Sequence, residues 1–184
     1  MPSAGVVTMS DPQGKGYDPV AKTGGIGFTT GAFARDINIT GLPMLDITLS
    51  IDRPAANLAV TLYDVLPNGT WIEWDHGTRN LVHRESRESG SPVVPGVSFH
   101  TTVNLYPTQT RLEAGHKLGI ALSPELPAWM EPQPVGAGAT YTIALGEQGA
   151  VLHVLTLADG SAQALRAATT ATMPSASSGV LGFI

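Results

Sequence analysis

Hydrophobic and polar residues alternate along most of this chain. Over residues 44–51, Leu45, Ile47, Leu49 and Ile51 fall on one side and Asp46, Thr48 and Ser50 on the other, the period of a half-buried strand. Leu58, Val60 and Leu62 repeat it over residues 57–65. Pro67-Asn68-Gly69 then supplies a turn into residues 71–75, so the two runs read as a hairpin. In residues 97–105, Val97, Phe99, Thr101, Val103 and Leu105 share a face, and Pro107 stops the run. Leu118, Ile120 and Leu122 alternate between Gly115 and Pro124, and runs at 141–145 and 151–157 suggest a last hairpin around Gly146–Gly149. Two shorter strands, 26–30 and 37–40, come first. No segment before residue 158 places apolar residues at helical spacing over three turns. The pattern predicts an all-β sandwich of two antiparallel sheets. Its expected core is Leu45, Ile47, Leu49, Leu58, Val60, Leu62, Phe99, Val103, Leu118, Ile120 and Leu122.

Three segments break this rhythm. Residues 1–25 are rich in Gly and Pro and read as a linker or N-terminal arm to a sandwich domain spanning 26–160. Residues 77–96 form a long charged crossover. Residues 161–184 form a C-terminal tail, with a weak helix expected over 162–173 and an apolar end, 180–184, expected to dock on the sandwich.

Composition sharpens the picture at a few points. Charged residues are 14% of the chain, against about 25% in an ordinary domain. Part of so neutral a surface is expected to be covered by a partner. The net charge of −5 argues against nucleic-acid binding, which needs a clustered basic surface. No apolar run is long enough for a membrane span, so no membrane partner is expected. The N-terminus lacks the basic and apolar regions of a secretory signal. With no Cys there is neither a disulfide framework nor a thiolate chemistry, and the compartment, cytoplasmic or secreted, stays open, as does the oligomeric state.

Candidate chemistry is sparse. The G-x-S-x-G nucleophile elbow is absent, and the nearest string, Gly96-Val97-Ser98-Phe99-His100, lies in a regular strand with Ser98 and His100 on its outward face. His76, His83, His100, His116 and His153 show no metal-ligand spacing, and Asp11–Asp18 lacks the alternating acids of a calcium loop. No catalytic, cofactor-binding or metal-binding residue is assigned. Trp71 and Trp74, three apart on a strand, face opposite sides and cannot share a sugar-binding platform. Trp129 sits in a Pro-fenced loop with Leu126 and Met130. These three large apolar side chains have no strand face to bury them, and they mark a domain-interface surface.

An ordered series of motifs carries a resemblance. Phe28-Thr-Thr-Gly-Ala-Phe-Ala-Arg-Asp36, Ile39-Thr-Gly-Leu-Pro43, Tyr63-Asp64-Val65 with Pro67-Asn68-Gly69, His83-Arg84-Glu85-Ser86, Leu105-Tyr-Pro-Thr108 and Ala114-Gly-His-Lys-Leu118 follow one another between Gly25 and Gly136. This run resembles the C-terminal non-catalytic domain of the X-Pro dipeptidyl-peptidase and cocaine-esterase-like serine hydrolases. The resemblance implies a jelly-roll, galactose-binding-like sandwich packed on an α/β-hydrolase catalytic domain of the same parent chain, with the catalytic Ser, Asp and His in that other domain. It implies a parent that releases an Xaa-Pro dipeptide or cleaves a small ester through a serine acyl-enzyme, and a domain that is inert alone, without cofactor. His83, Arg84, Glu85 and Ser86 are expected to be a structural crossover, with Arg84 and Glu85 fixing the loop by paired hydrogen bonds. A free-standing carbohydrate- or ligand-binding sandwich is the competing reading.

Overall fold

The alternation around Leu45–Ile51 belongs to a much longer strand. A computed structural model describes residues 5–11, 16–130, 138–146, 149–158, 161–168 and 181–183. In it, β3 (Ile37–Ile51) runs for fifteen residues and carries other strands along both edges. On one edge β6 (Phe99–Asn104) pairs with residues 44–49 and β7 (Thr108–Leu112) with residues 37–41. On the other, β9 (Thr140–Ala144) pairs with 49–51 and β10 (Ala150–Ala158) with 38–47. The expected 141–157 hairpin is therefore two segments laid end to end along β3, separated by a short excursion in which Thr48 N–H donates to the Gly149 carbonyl at 2.7 Å. β1 (Val6–Ser10) extends the sheet beside β9, and β11 (Ser161–Ala168) extends it beside β10.

Two of these strands lie where none was expected. β1 falls within the Gly/Pro-rich arm, and β11 occupies residues expected to be helical. Pairing of β11 with β10, residue by residue from Val151↔Ala168 to Ala158↔Ser161, overrides the helix propensity of its alanines. The rest of the helical expectation lies outside the described residues.

Prolines interrupt the pairing along this edge from both sides at the same level. Pro43 and Pro107 have no N–H to give a ladder. Gly41 takes φ +92°, and residues 41–43 of β3 stand opposite a single residue of β10, Val154. Leu105 N–H closes the gap by donating to the Pro43 carbonyl at 3.0 Å. This bulge throws Leu42 and Tyr106 outward, 54% and 57% exposed.

The second sheet has the order β12 (Leu181–Phe183), β2 (Ile26–Thr30), β8 (Lys117–Ser123), β4 (Asn57–Val65), β5 (Trp71–Asn80). All its pairs are antiparallel except β12 with β2. β4 and β5 form the expected hairpin, with Asn68 Oδ1 accepting from Thr70 N–H and Gly69 at φ +87°. Both faces of β4 and β8 are buried. The inner face meets the other sheet. The outer face is built from small residues over which Tyr17 lies: a Cβ on Gly27 would stand 2.2 Å from the Tyr17 hydroxyl oxygen. Tyr17, Tyr63 and Trp71 pack there, and burial, the largest cause, pushes the Tyr63 phenol up to about 12.

Between the sheets, ten of the eleven expected core residues are buried, and Phe99 is half-buried against them. Tyr141 crosses the sandwich to donate its hydroxyl to the Asn57 carbonyl at 2.6 Å. Leu62, fully buried, should cost about 2–5 kcal/mol when changed to Ala. Gly77 of β5 abuts β6 so closely that a Cβ would lie 2.4 Å from the Asn104 carbonyl oxygen. Gly77→Ala should therefore destabilise by about 1–3 kcal/mol. Urea unfolding of both variants checks these values; wild-type midpoints would refute this packing.

A candidate domain-interface surface and a structured crossover

The loop after β8 is held from within. Ser123 Oγ donates to the Glu125 carbonyl at 2.7 Å, and Trp129 and Met130 N–H both return to the Leu126 carbonyl, at 2.8 and 3.0 Å. This turn half-buries Leu126 and Met130 and leaves Trp129 59% exposed. Trp129 is supported rather than free. Its ring lies 4.5 Å from that of His76 on β5, and Tyr106, thrown out by the β3 bulge, packs edge-on against the same imidazole at 5.3 Å. The result is an aromatic platform assembled from three distant segments, with Trp129 and Tyr106 presented to solvent. Of its members, the sequence marked Leu126, Trp129 and Met130; His76 and Tyr106 join them through the tertiary fold alone.

A buried carboxylate underlies the platform. Asp75 Oδ1 accepts from the N–H groups of His76 at 2.7 Å and Tyr106 at 3.2 Å, which ties β5 to the Tyr106 excursion. Burial, the largest cause, raises its pKa. His76 Nδ1 faces Glu73 at 3.2 Å.

The crossover is organised by Arg84, whose side chain is 11% exposed. Its Nη1 donates to the carbonyls of Leu81 and Ser91, at 3.2 and 2.6 Å, and the guanidinium lies 5.2 Å from the Phe99 ring centroid. Arg79 reaches in to donate to the Arg84 carbonyl at 2.7 Å. Ser86 Oγ accepts from Glu88 and Ser89 N–H, and His83 Nδ1 lies 3.3 Å from the Ser86 carbonyl oxygen. Glu85 contributes differently from Arg84: it is 69% exposed and meets Arg84 Nη2 at 3.1 Å. The crossover and the platform are separate features; Arg84 touches neither Trp129 nor Tyr106 among the described residues.

Ser98 and His100 do not assemble a nucleophile. Both are exposed, and among the described residues no hydrogen bond joins them. An acid that the linear spacing could not reveal does stand near His100: Asp46 on β3, 3.9 Å away. Its carboxylate is already engaged by Thr102 Oγ1 at 2.6 Å and His153 at 3.0 Å. His116 pairs with Asp64 at 2.9 Å. Among the described residues no cluster of His, Asp or Glu is arranged to hold a metal ion. Trp71 and Trp74 face apart, Trp71 toward Tyr63 on the outer face and Trp74 toward the main core.

Arg84→Ala should lower stability by about 1–3 kcal/mol, because two carbonyls lose their donor. Glu85→Ala should change it by less than about 0.5 kcal/mol, since an exposed ion pair is worth little. Equal losses in the two variants would contradict the geometry. Asp75 gives a pH dependence of definite sign. Its raised pKa means the folded state holds that proton more tightly than the unfolded chain. The cost of the charge enters as pH rises from the ordinary carboxylate range and is complete above the raised value. Asp75→Asn keeps Oδ1 for both N–H donors, so it should raise Tm near pH 7 and leave it unchanged near pH 3. A fall in Tm near pH 7 would show that the charge is favourable.

Comparison with known proteins gives the family and the fold. Residues 4–146 match the X-Pro dipeptidyl-peptidase C-terminal non-catalytic domain. An Xaa-Pro dipeptidyl-peptidase of Lacticaseibacillus casei is 25% identical over 48% of this chain, and the match spans 15% of that protein. A CocE/NonD family hydrolase of Staphylococcus aureus has the same fold, with TM-score 0.70 at 15% identity over 84% of this chain and 33% of its own. An α-amino acid ester hydrolase gives TM-score 0.63 at 15% identity over 73% of this chain and 26% of its own. In each case the chain corresponds to a third or less of the larger protein. With the family match running through both sheets and most of the sandwich, the chain belongs to the X-Pro dipeptidyl-peptidase C-terminal non-catalytic domain family.

Proposed function

We propose that this domain serves a larger serine hydrolase as an accessory sandwich, with an α/β-hydrolase catalytic domain of the same parent chain resting on the Trp129–Tyr106 platform. The parent would release an Xaa-Pro dipeptide or cleave a small ester through a serine acyl-enzyme formed wholly in that other domain. The exposed Trp129 carries the reading. A large aromatic ring, 59% exposed yet packed at a tilt on His76 and braced by Tyr106, is preorganised for burial by a partner. Leu126 and Met130 extend the apolar surface around it, and the chain's 14% of charged residues is what a partly covered surface requires. The crossover at His83, Arg84, Glu85 and Ser86 is read as structural, Arg84 holding its shape.

The chain alone should hydrolyse neither Xaa-Pro anilides nor aryl esters. Titrating in the separately expressed catalytic domain should give a saturable change in Trp fluorescence, and Trp129→Ala should weaken that association by about tenfold or more. Absence of any response would refute the docking surface. So would a saturable oligosaccharide response abolished by Trp129→Ala, which would establish the sugar-binding alternative instead.

A further inference from the structure

A groove of about 470 Å³ opens between the crossover, the end of β5 and strand β6. Arg79, Arg84 and Arg87 all line it, three of the ten Lys and Arg residues in a chain of net charge −5. Glu85, on its rim, is the one acid among the described lining residues. Three guanidinium groups against one carboxylate leave the groove with an excess of positive charge, and concave walls concentrate such a field.

The charges differ in how far they are committed. Arg84 spends Nη1 on two carbonyls and Nη2 on Glu85. Arg79 gives Nη2 to a carbonyl, while its Nε is shut from water without a partner among the described residues. Arg87 is exposed and has no ion pair among the described residues. In the same wall, Thr101 is 4% exposed and its hydroxyl also lacks a partner among the described residues. Both atoms are closed off behind the surface of the groove, so of its three guanidinium groups the exposed one without an ion pair, that of Arg87, is the one open to a ligand. Beside them, β6 is hydrogen-bonded to β3 along one edge, and its other edge borders the groove.

The geometry points to this groove as a binding site for a carboxylate group, gripped chiefly by Arg87, with Arg79 and Arg84 in the wall adding to its positive charge. Guanidinium groups match a planar carboxylate with two parallel hydrogen bonds. Glu85 on the rim favours a singly charged group over a more highly charged anion. The site is distinct from the Trp129 platform and does not depend on what docks there. Its carboxylate has two sources of one chemistry, a small free acid or the C-terminus of an extended peptide running along β6.

The test follows the arginine side-chain Nε–H resonances of the full chain at constant ionic strength. N-acetylglycine and N-acetyl-tetraalanine, each as free acid and as amide, are the probes. The acids should shift the Arg87 resonance saturably, the amides should not, and Arg87→Ala should weaken binding at least about fivefold. Because Arg87 is exposed and unpaired, this variant tests the site without threatening the fold. Tighter binding of the tetraalanine acid identifies a peptide C-terminus as the ligand, and equal binding a small carboxylate. Silence from both acids, shifts reproduced by the amides, or undiminished binding in Arg87→Ala would overturn the proposal.

Discussion

The larger sheet of this domain is registered on β3. A fifteen-residue strand bonded along both edges fixes the places of β6, β7, β9 and β10 at once. Because side chains alternate, a slip of one residue would turn Leu45, Ile47, Leu49 and Ile51 out of the core together. The one irregularity in this spine is equally consequential. Where Gly41 and Pro43 bulge, the facing strand breaks at Pro107, and the outward excursion delivers Tyr106 to the platform. Asp75 fixes it there by bonding both its backbone and that of His76.

The second sheet offers little open face to a partner. Both faces of β4 and β8 are already covered, the inner by the first sheet and the outer by Tyr17 and its neighbours. No sheet face of β4 or β8 is left for a ligand. Two features stand beside the sheet: the end where the β8 loop, β5 and the β3 bulge meet, and the edge where the crossover folds over β6. The first presents aromatic rings with little charge, the second guanidinium groups with little to neutralise them. The two proposed surfaces are backed by packed side chains: buried Asp75 and half-buried His76 behind Trp129, and half-buried Phe99 behind Arg84.

Much of the fold was legible in the chain because a half-buried strand writes its period directly into the residues. The β4–β5 hairpin, the inward faces of β3 and β8 and the Trp129 loop were all readable from spacing. Features that depend on partners distant in sequence were not. Residues 37–40 and 44–51 read as two strands, since Gly41 and Pro43 look like a terminator rather than a bulge. Val6–Ser10 is too short to declare itself without β9. Ser161–Ala168 carries the composition of a helix, although Asp159-Gly160 just before it is a strong hairpin signal that marked the return strand. The small residues Gly27 and Gly119 likewise gave no hint that aromatic rings would lie over them. At the surface, Trp129 was visible, but the imidazole and phenol that brace it come from β5 and the bulge.

The account rests on Trp129 and Tyr106 being surfaces made to be covered. Hydroxyl-radical footprinting, read by mass spectrometry on the isolated chain and on the whole parent protein, measures this at each side chain. Trp129, Tyr106 and Met130 should label readily in the isolated chain and be strongly protected in the parent, while exposed Val94, beside the end of β3 away from the bulge, labels equally in both. Equal labelling of Trp129 and Tyr106 in the two proteins would contradict the account.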